Sequence, residues 1–183
     1  MKARLKLGLI TCVALALAMP AMAVDLIGYY EFEGDFSNTT ATMGTTLVPG
    51  VASQNPGQVS FAAGGFRGQA VDINDPVASG GGNSGGSVDF PVNVSPPANY
   101  SFGGWFNLDS NAGFPGVVAN DNGGWDRGIH LNGNQWGIAS GGNTNNIGPA
   151  PTGEWTYVMG TFDKAGNVAT LYVGDDMAAT QTT

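Results

Sequence analysis

The chain has almost no cysteine, few basic residues and a single histidine. Its 183 residues include one Cys, six Lys or Arg and one His. Because Cys12 lies in the N-terminal segment described below, neither disulfides nor cysteine ligands hold the rest of the chain together. Any catalytic triad would need His130 as its base. That residue alternates with apolar neighbours, which favours a surface or structural histidine.

The scarcity of basic residues restricts the class of partner. After the N-terminal segment only Arg67, Arg127 and Lys164 remain, against 14 acidic residues, which gives a net charge of −11. So acidic a surface repels phosphate backbones and anionic lipids, which argues against nucleic acid and anionic membranes as partners. Uncharged or cationic partners, a metal ion, or plain solubility all fit it.

The N-terminus has the pattern of a signal peptide. Lys2, Arg4 and Lys6 precede an apolar stretch at residues 7–19. The small-x-small sequence Ala21-Met22-Ala23 then forms a cleavage site. The apolar stretch is shorter than the roughly 20 residues of a membrane span. We therefore predict cleavage after residue 23, export to the periplasm, cell surface or medium, and no membrane insertion of the processed chain.

Composition predicts a single all-β domain in residues 24–183. Thirty Gly and ten Pro supply turns, and no long run with helical periodicity follows the signal segment. Removing 23 residues from 183 leaves 160. That length is enough for one domain with a two-sheet core and too short for two such domains.

Two alternating segments near the C-terminus predict a β-hairpin. Residues 152–163 and 168–175 are joined by a turn whose Gly166 and Asn167 can adopt φ > 0. The unit resembles a hairpin of the laminin-G-like, concanavalin A-like jelly-roll family, in which a G-x-W-x-x-V-x-x-x-[YF]-D … L-Y-V-[ND]-G pattern recurs. Here Gly174-Asp175 stands in place of the final [ND]-G.

Other segments carry the same resemblance. Residues 25–35 are similar to the first strand of the family, residues 66–73 to a later strand, and residues 100–108 to its [FY]-[ST]-[IF]-[SG]-[AG]-W-[VF]-x-[PL] strand. In the last of these, alternation puts Trp105 and Asn107 on the face opposite the apolar residues. The resemblance spans residues 26 to 175. It implies an all-β fold, a two-sheet antiparallel jelly-roll β-sandwich.

The middle of the domain is predicted to hold three more strands, at residues 117–119, 128–131 and 135–139. The dipeptide Asn132-Gly133 predicts a tight turn between the last two.

The C-terminal residues depart from the family pattern. The resemblance implies one or two further strands after the L-Y-V segment, beside the first strand. Residues 176–183 are too short to supply them, so we expect the domain to be C-terminally incomplete and the natural protein to continue past Thr183. The first strand would then expose an unpaired edge.

The loop at residues 120–127 gathers side-chain oxygen atoms. Carboxylate and amide oxygens in a Gly-rich loop suit Ca²⁺, although the spacing is not that of an EF-hand. The resemblance also implies a calcium ion near one rim. The alternative, which we favour here, is that these side chains stabilise turns through local hydrogen bonds. The metal-ligand candidates are Asn120, Asp121, Asn122 and Asp126.

Tryptophan and asparagine residues suggest a sugar site. Indole rings stack on the apolar faces of pyranose rings, and amides bind the hydroxyl groups. Large aromatic residues in a sandwich are more often core than ligand platform. Alternation exposes Trp105 and a loop position exposes Trp125, whereas Trp136 and Trp155 flank turns and fit either role. The ligand-binding candidates are Trp105, Asn107, Trp125, Asn134 and Trp136.

Catalytic chemistry finds little support in the sequence. Glycoside hydrolases of this fold use paired glutamates in an E-x-D-x-x-E strand. The three glutamates here, Glu31, Glu33 and Glu154, provide no such pair on a central strand. We therefore predict a non-catalytic module that recognises a glycan or an extracellular protein. The alternatives are a glycoside hydrolase on the same sandwich and a purely structural or adhesive surface module.

Overall fold

The structure, a computed structural model, describes most of the chain after the signal segment. The described residues are 28–39, 49–74, 85–90, 99–112, 116–120, 127–141, 143–174 and 177–182. The predicted signal segment lies outside these ranges, as does the predicted start of the domain at residue 24. Within them, no helix has both the length and the apolar character that crossing a membrane requires.

The described residues contain twelve β-strands and one short 3-10 helix, Pro56–Gln58. The strands, in chain order, are β1 Val51–Ala52, β2 Val59–Ala63, β3 Gln69–Ile73, β4 Val88–Asp89, β5 Tyr100–Asn107, β6 Gly116–Asn120, β7 Arg127–Asn132, β8 Gln135–Ser140, β9 Asn143–Pro149, β10 Trp155–Asp163, β11 Val168–Val173 and β12 Met177–Thr182.

Eight strands form two four-stranded antiparallel sheets. The first sheet has the order β12-β11-β10-β5, and the second has the order β6-β7-β8-β9. Because side chains alternate along each strand, each sheet has an apolar side, and the two apolar sides pack together. The buried core consists of Ile129, Leu131, Trp136, Ile138, Ala150, Val158, Phe162, Ala169, Leu171 and Val173. The predicted two-sheet antiparallel jelly-roll sandwich is confirmed.

Strand β5 shows the alternation that the sequence predicts. Its even-numbered residues, from Tyr100 to Phe106, are partly buried, and its odd-numbered residues, from Ser101 to Asn107, are exposed. Phe102 and Phe106 pack against the core. Trp105 consequently points away from it.

Hairpin turns form where residues tolerate a positive φ. Between β10 and β11, Asn167 has a φ of 55°, and the Asp163 carboxylate accepts the Gly166 N–H at 3.0 Å. Between β7 and β8, the two-residue loop is Gly133, with a φ of 59°, and Asn134. Both hairpins agree with the turn chemistry of the sequence.

The first strand is not formed as predicted in its described part, residues 28–35. A single isolated bridge joins Tyr30 to Asn38. Phe32 has a φ of 59°, which turns the chain out of the extended conformation. The Asn38 amide oxygen accepts the Tyr29 N–H at 3.0 Å, and the Thr39 N–H donates to the Tyr29 carbonyl at 2.9 Å, so residues 38 and 39 hold this segment.

Residues 177–182 form strand β12, which the sequence pattern does not predict, whereas the continuation of the domain past Thr183 stays a prediction. Strand β12 pairs antiparallel with all six residues of β11 and lies at the edge of the first sheet. The return is short because Gly174, with a φ of 62°, turns the chain directly after β11.

Candidate functional site

The side of the first sheet that faces away from the core carries exposed aromatic rings. Trp105 of β5 is 42% exposed, and Tyr172 of β11 is 44% exposed. Strand β10 lies between them and contributes further large side chains to the same side. The residues of this surface, here termed the aromatic face, are Phe66, Trp105, Asn107, Trp155, Tyr157, Met159 and Tyr172.

Phe66 reaches the aromatic face from the turn between β2 and β3. Its ring lies almost parallel to that of Trp105, with ring centroids 3.6 Å apart and an interplanar angle of 8°. Phe66 is itself 45% exposed. The two rings therefore form one stacked platform that solvent still reaches.

Hydrogen bonds hold the β2–β3 turn over the sheet. Trp155 Nε1 donates to the Gly64 carbonyl at 3.2 Å. The Gln69 N–H donates to the Glu33 carboxylate at 3.1 Å. Gly68, with a φ of 66°, lies so close to this carboxylate that a Cβ would collide with it. These contacts position the phenylalanine at the tip of the turn.

Cross-strand pairs extend the platform along the sheet. Trp105 lies opposite Tyr157, and their ring centroids are 5.4 Å apart at an angle of 57°. Two residues further along β10, Met159 lies opposite Tyr172. The exposed Asn107 follows Trp105 on the same side and adds an amide that can bind hydroxyl groups.

The aromatic face is nearly free of charge. The outward-facing residues of β5, β10 and β11 include one acidic residue and no basic one. The acidic residue, Asp163, stands at the end of β10 and accepts the Gly166 N–H of the adjoining turn. On a chain as acidic as this one, an uncharged surface suits an uncharged ligand.

The predicted ligand-binding residues fall in different places. Trp105 and Asn107 lie together on the aromatic face. Asn134 lies in the β7–β8 turn of the second sheet, where its carbonyl accepts the Ala150 N–H at 2.7 Å. Trp125 lies outside the described residues.

The assignment of Trp136 as a ligand-binding residue is wrong. Its side chain is 0% exposed and belongs to the core. In β8 it shares the inward side with Ile138, and its ring centroid lies 6.0 Å from that of Phe106. A position beside a turn is compatible with exposure, but the register of β8 places the indole between the sheets.

The structure does not test the metal prediction. Of its four residues, Asn120 ends β6, whereas Asp121, Asn122 and Asp126 lie outside the described residues. In the part of the chain that the structure describes, no group of three or more His, Cys, Asp or Glu residues could hold a metal ion. Calcium binding by this loop stays a prediction.

Calcium binding would raise the stability of the folded chain. A ligand that binds only the folded state stabilises it by about 2.7 kcal/mol when its concentration is one hundred times Kd. We therefore expect the Tm of the processed chain to rise with free Ca²⁺. Melts in chelator and in millimolar Ca²⁺ measure this, with Asp121→Asn as the variant that should lose the shift. Equal Tm values in both buffers would contradict the prediction of calcium binding.

His130 is a buried, structural residue. It is 3% exposed and lies on the side of the second sheet that faces away from the core. A Cβ on Gly137, its partner in β8, would collide with the His130 ring and come within 2.6 Å of Asn146 Oδ1. Burial lowers the pKa of His130 below its ordinary value of 6.5, and a hydrogen bond with the Gly128 backbone partly offsets this.

This lowered pKa makes stability depend on pH. The unfolded chain binds a proton near pH 6.5, whereas the folded chain resists protonation until lower pH. The contribution of His130 is therefore complete above pH 6.5 and is lost as the pH falls towards the folded-state pKa. Urea unfolding at neutral pH and at pH 5 measures the loss. His130→Gln should show a smaller loss, and equal losses in both proteins would contradict the prediction.

Of the seven residues of the aromatic face, the sequence candidates included only Trp105 and Asn107. Tyr157 and Tyr172 alternate with core residues of β10 and β11, so the same periodicity that exposed Trp105 also indicates their exposure. Phe66 carried no local signal for this role, because its position depends on a contact between distant parts of the chain.

The sandwich agrees with the result of sequence comparison. A family model described as the concanavalin A-like lectin/glucanases superfamily matches residues 80–183, which is more than half of the chain. No curated protein and no solved structure gives a match. The matched residues include all eight strands of the two large sheets. The chain therefore belongs to the concanavalin A-like lectin/glucanase superfamily.

Proposed function

We propose that this domain is a non-catalytic carbohydrate-binding module of an exported protein and that the aromatic face is its binding surface. Export rests on the signal pattern of residues 1–23. The superfamily is compatible with recognition of glycans or proteins, and the chemistry of the aromatic face favours glycans.

The stacked Phe66–Trp105 platform carries this proposal. Aromatic rings are normally drawn into the core of a sandwich, yet these two are 45% and 42% exposed although they touch each other. The apolar face of a sugar ring stacks on such a platform. The Asn107 amide and the hydroxyl groups of Ser101 and Thr161, on the same side of the sheet, can bond sugar hydroxyls.

The non-catalytic character is supported by the acidic residues of the strands. A glycoside hydrolase needs two carboxyl groups flanking the scissile bond. The eight strands of the two large sheets, all of them among the described residues, contain one acidic residue, Asp163. Because its carboxylate accepts a hydrogen bond within the β10–β11 turn, Asp163 stabilises that turn.

Replacing Trp105 with alanine should weaken glycan binding and leave the chain folded. Truncating a central tryptophan of a binding surface costs about 2 kcal/mol or more, which is roughly thirtyfold in Kd. A screen of the processed chain on an array of neutral and acidic glycans identifies a ligand, and titration calorimetry then compares the wild type with Trp105→Ala. The melt of the variant shows whether the fold survives.

Two asparagines give a matched control. Asn107→Ala, on the aromatic face, should weaken binding, whereas Asn134→Ala, in the β7–β8 turn, should leave it unchanged. Glycan binding that survives Trp105→Ala and Asn107→Ala would place the site elsewhere. Absence of binding to every glycan would favour a protein partner or a purely structural module.

A further inference from the structure

The aromatic face exposes rings at two separate positions. One is the Phe66–Trp105 platform at β5, and the other is Tyr172 on β11, which is 44% exposed. The side chains of Tyr157 and Met159 on β10 lie between them and are partly buried. The surface therefore runs from one exposed aromatic position, across a lower apolar strip, to a second one.

The strand register sets the distance between the two positions. Trp105 lies opposite Tyr157, and Tyr172 lies opposite Met159, which is two residues further along β10. Neighbouring strands are about 4.8 Å apart and each residue advances about 3.3 Å, so the two positions are roughly 12 Å apart along a diagonal of the sheet. A single pyranose ring is too short to stack on both.

We propose that the aromatic face binds an extended, uncharged oligosaccharide that lies diagonally across β5, β10 and β11. One sugar ring stacks on the Phe66–Trp105 platform, another stacks on Tyr172, and the intervening chain crosses Tyr157 and Met159. This inference rests on the proposed function and specifies its ligand as a chain longer than a disaccharide.

Charge supports an uncharged chain. The diagonal crosses no acidic or basic residue of β5, β10 or β11. Arg67 follows Phe66 in the β2–β3 turn and is exposed. It is one of three basic residues after the signal segment, where the net charge is −11. A polyanionic glycan would be repelled by that charge, whereas a neutral one would not.

Chain length is the variable that tests the inference. Titration calorimetry of the processed chain with cello-, xylo- and manno-oligosaccharides, from disaccharide to hexasaccharide, should show affinity rising until both positions are occupied. Tyr172→Ala should lower the affinity for the hexasaccharide about tenfold, as loss of one aromatic contact does, and leave the disaccharide unaffected. Trp105→Ala should weaken both. Tyr29→Ala, a tyrosine 51% exposed outside the aromatic face, is the matched control.

The outcomes separate the inference from the proposed function. If disaccharide and hexasaccharide bind equally well and Tyr172→Ala is silent while Trp105→Ala still abolishes binding, the extended-chain inference is wrong and the proposed function stands. Tighter binding of polygalacturonate than of the neutral series would overturn the uncharged ligand. If neither the neutral oligosaccharides nor polygalacturonate binds, both the inference and the proposed function are wrong.

Discussion

Replacing Trp136 with alanine is expected to lower the free energy of unfolding by about 3–5 kcal/mol, as truncation of a buried aromatic side chain does. The indole is 0% exposed and fills the space between the two sheets. It lies between Leu131 of β7 and Ile147 of β9 in the register of the second sheet. The surrounding core side chains relax only partly into such a cavity, so most of the lost contact is not recovered.

Trp105 provides the matched comparison, because it is the same residue type at an exposed position. Its truncation removes ring contacts with Phe66 and Tyr157 that are worth about 1–2 kcal/mol together. Urea unfolding of Trp105→Ala and Trp136→Ala, followed by circular dichroism, measures the difference. Equal losses for the two variants would show that the partition between core and aromatic face is wrong.

A milder variant separates volume from polarity at the same site. Trp136 Nε1 is buried and has no hydrogen-bond partner among the residues that the structure describes. A buried donor without a partner costs free energy. Trp136→Phe removes this polar group and keeps much of the ring, so we expect it to lose clearly less stability than Trp136→Ala. A loss as large as that of alanine would mean that the shape of the indole, rather than its buried area, determines the packing.

Local periodicity predicted the strands whose side chains alternate between core and solvent. Strands β5, β10 and β11 alternate between apolar and polar residues, because one side faces the core and the other faces solvent. The burial of Trp136 follows from the same rule, since it shares the inward side of β8 with Ile138. The turn beside Trp136 leaves its exposure open, whereas the period of the strand places it on the inward side.

Strands stabilised mainly by their neighbours could not be predicted in this way. Strand β9 is rich in asparagine, and its hydrophobic residue Ile147 packs on the core. Its strand conformation comes from the hydrogen-bond ladder with β8. Strand β12 similarly follows β11, and its sequence was too short to be recognised alone. Such edge strands depend on tertiary pairing more than on their own pattern.

The candidate site was predictable to the same extent. Alternation predicted the exposure of Trp105 and the position of Asn107 beside it. It could not predict that Phe66 stacks on Trp105, because that contact joins β5 to a turn far away in the sequence. The platform is a product of tertiary structure, and its two halves carry no common local pattern.

The two adjacent glycines of β5 should respond to alanine in opposite ways. A Cβ on Gly103 would collide with the Val158 carbonyl oxygen and lie 2.7 Å from Met159 Cα. Both are backbone atoms of β10, which cannot rotate away as a side chain can. Gly103→Ala must therefore push β5 from β10, and we expect a loss of about 3 kcal/mol in the free energy of unfolding.

At Gly104 the atom of the described residues that the added methyl group meets is Phe106 Cζ, at 3.9 Å, which is an ordinary contact. Alanine also restricts the unfolded chain, so Gly104→Ala should be neutral or stabilising by up to about 1 kcal/mol. Urea unfolding of the two variants under the same conditions gives the comparison.

The close approach of β5 and β10 at Gly103 lies two residues from Trp105 on the same side of the sheet. Gly103→Ala should therefore also weaken glycan binding, whereas Gly104→Ala should not. Equal stability of the two variants would mean that β5 and β10 can separate without a loss of free energy. The claim that their close approach positions the aromatic face would then be wrong.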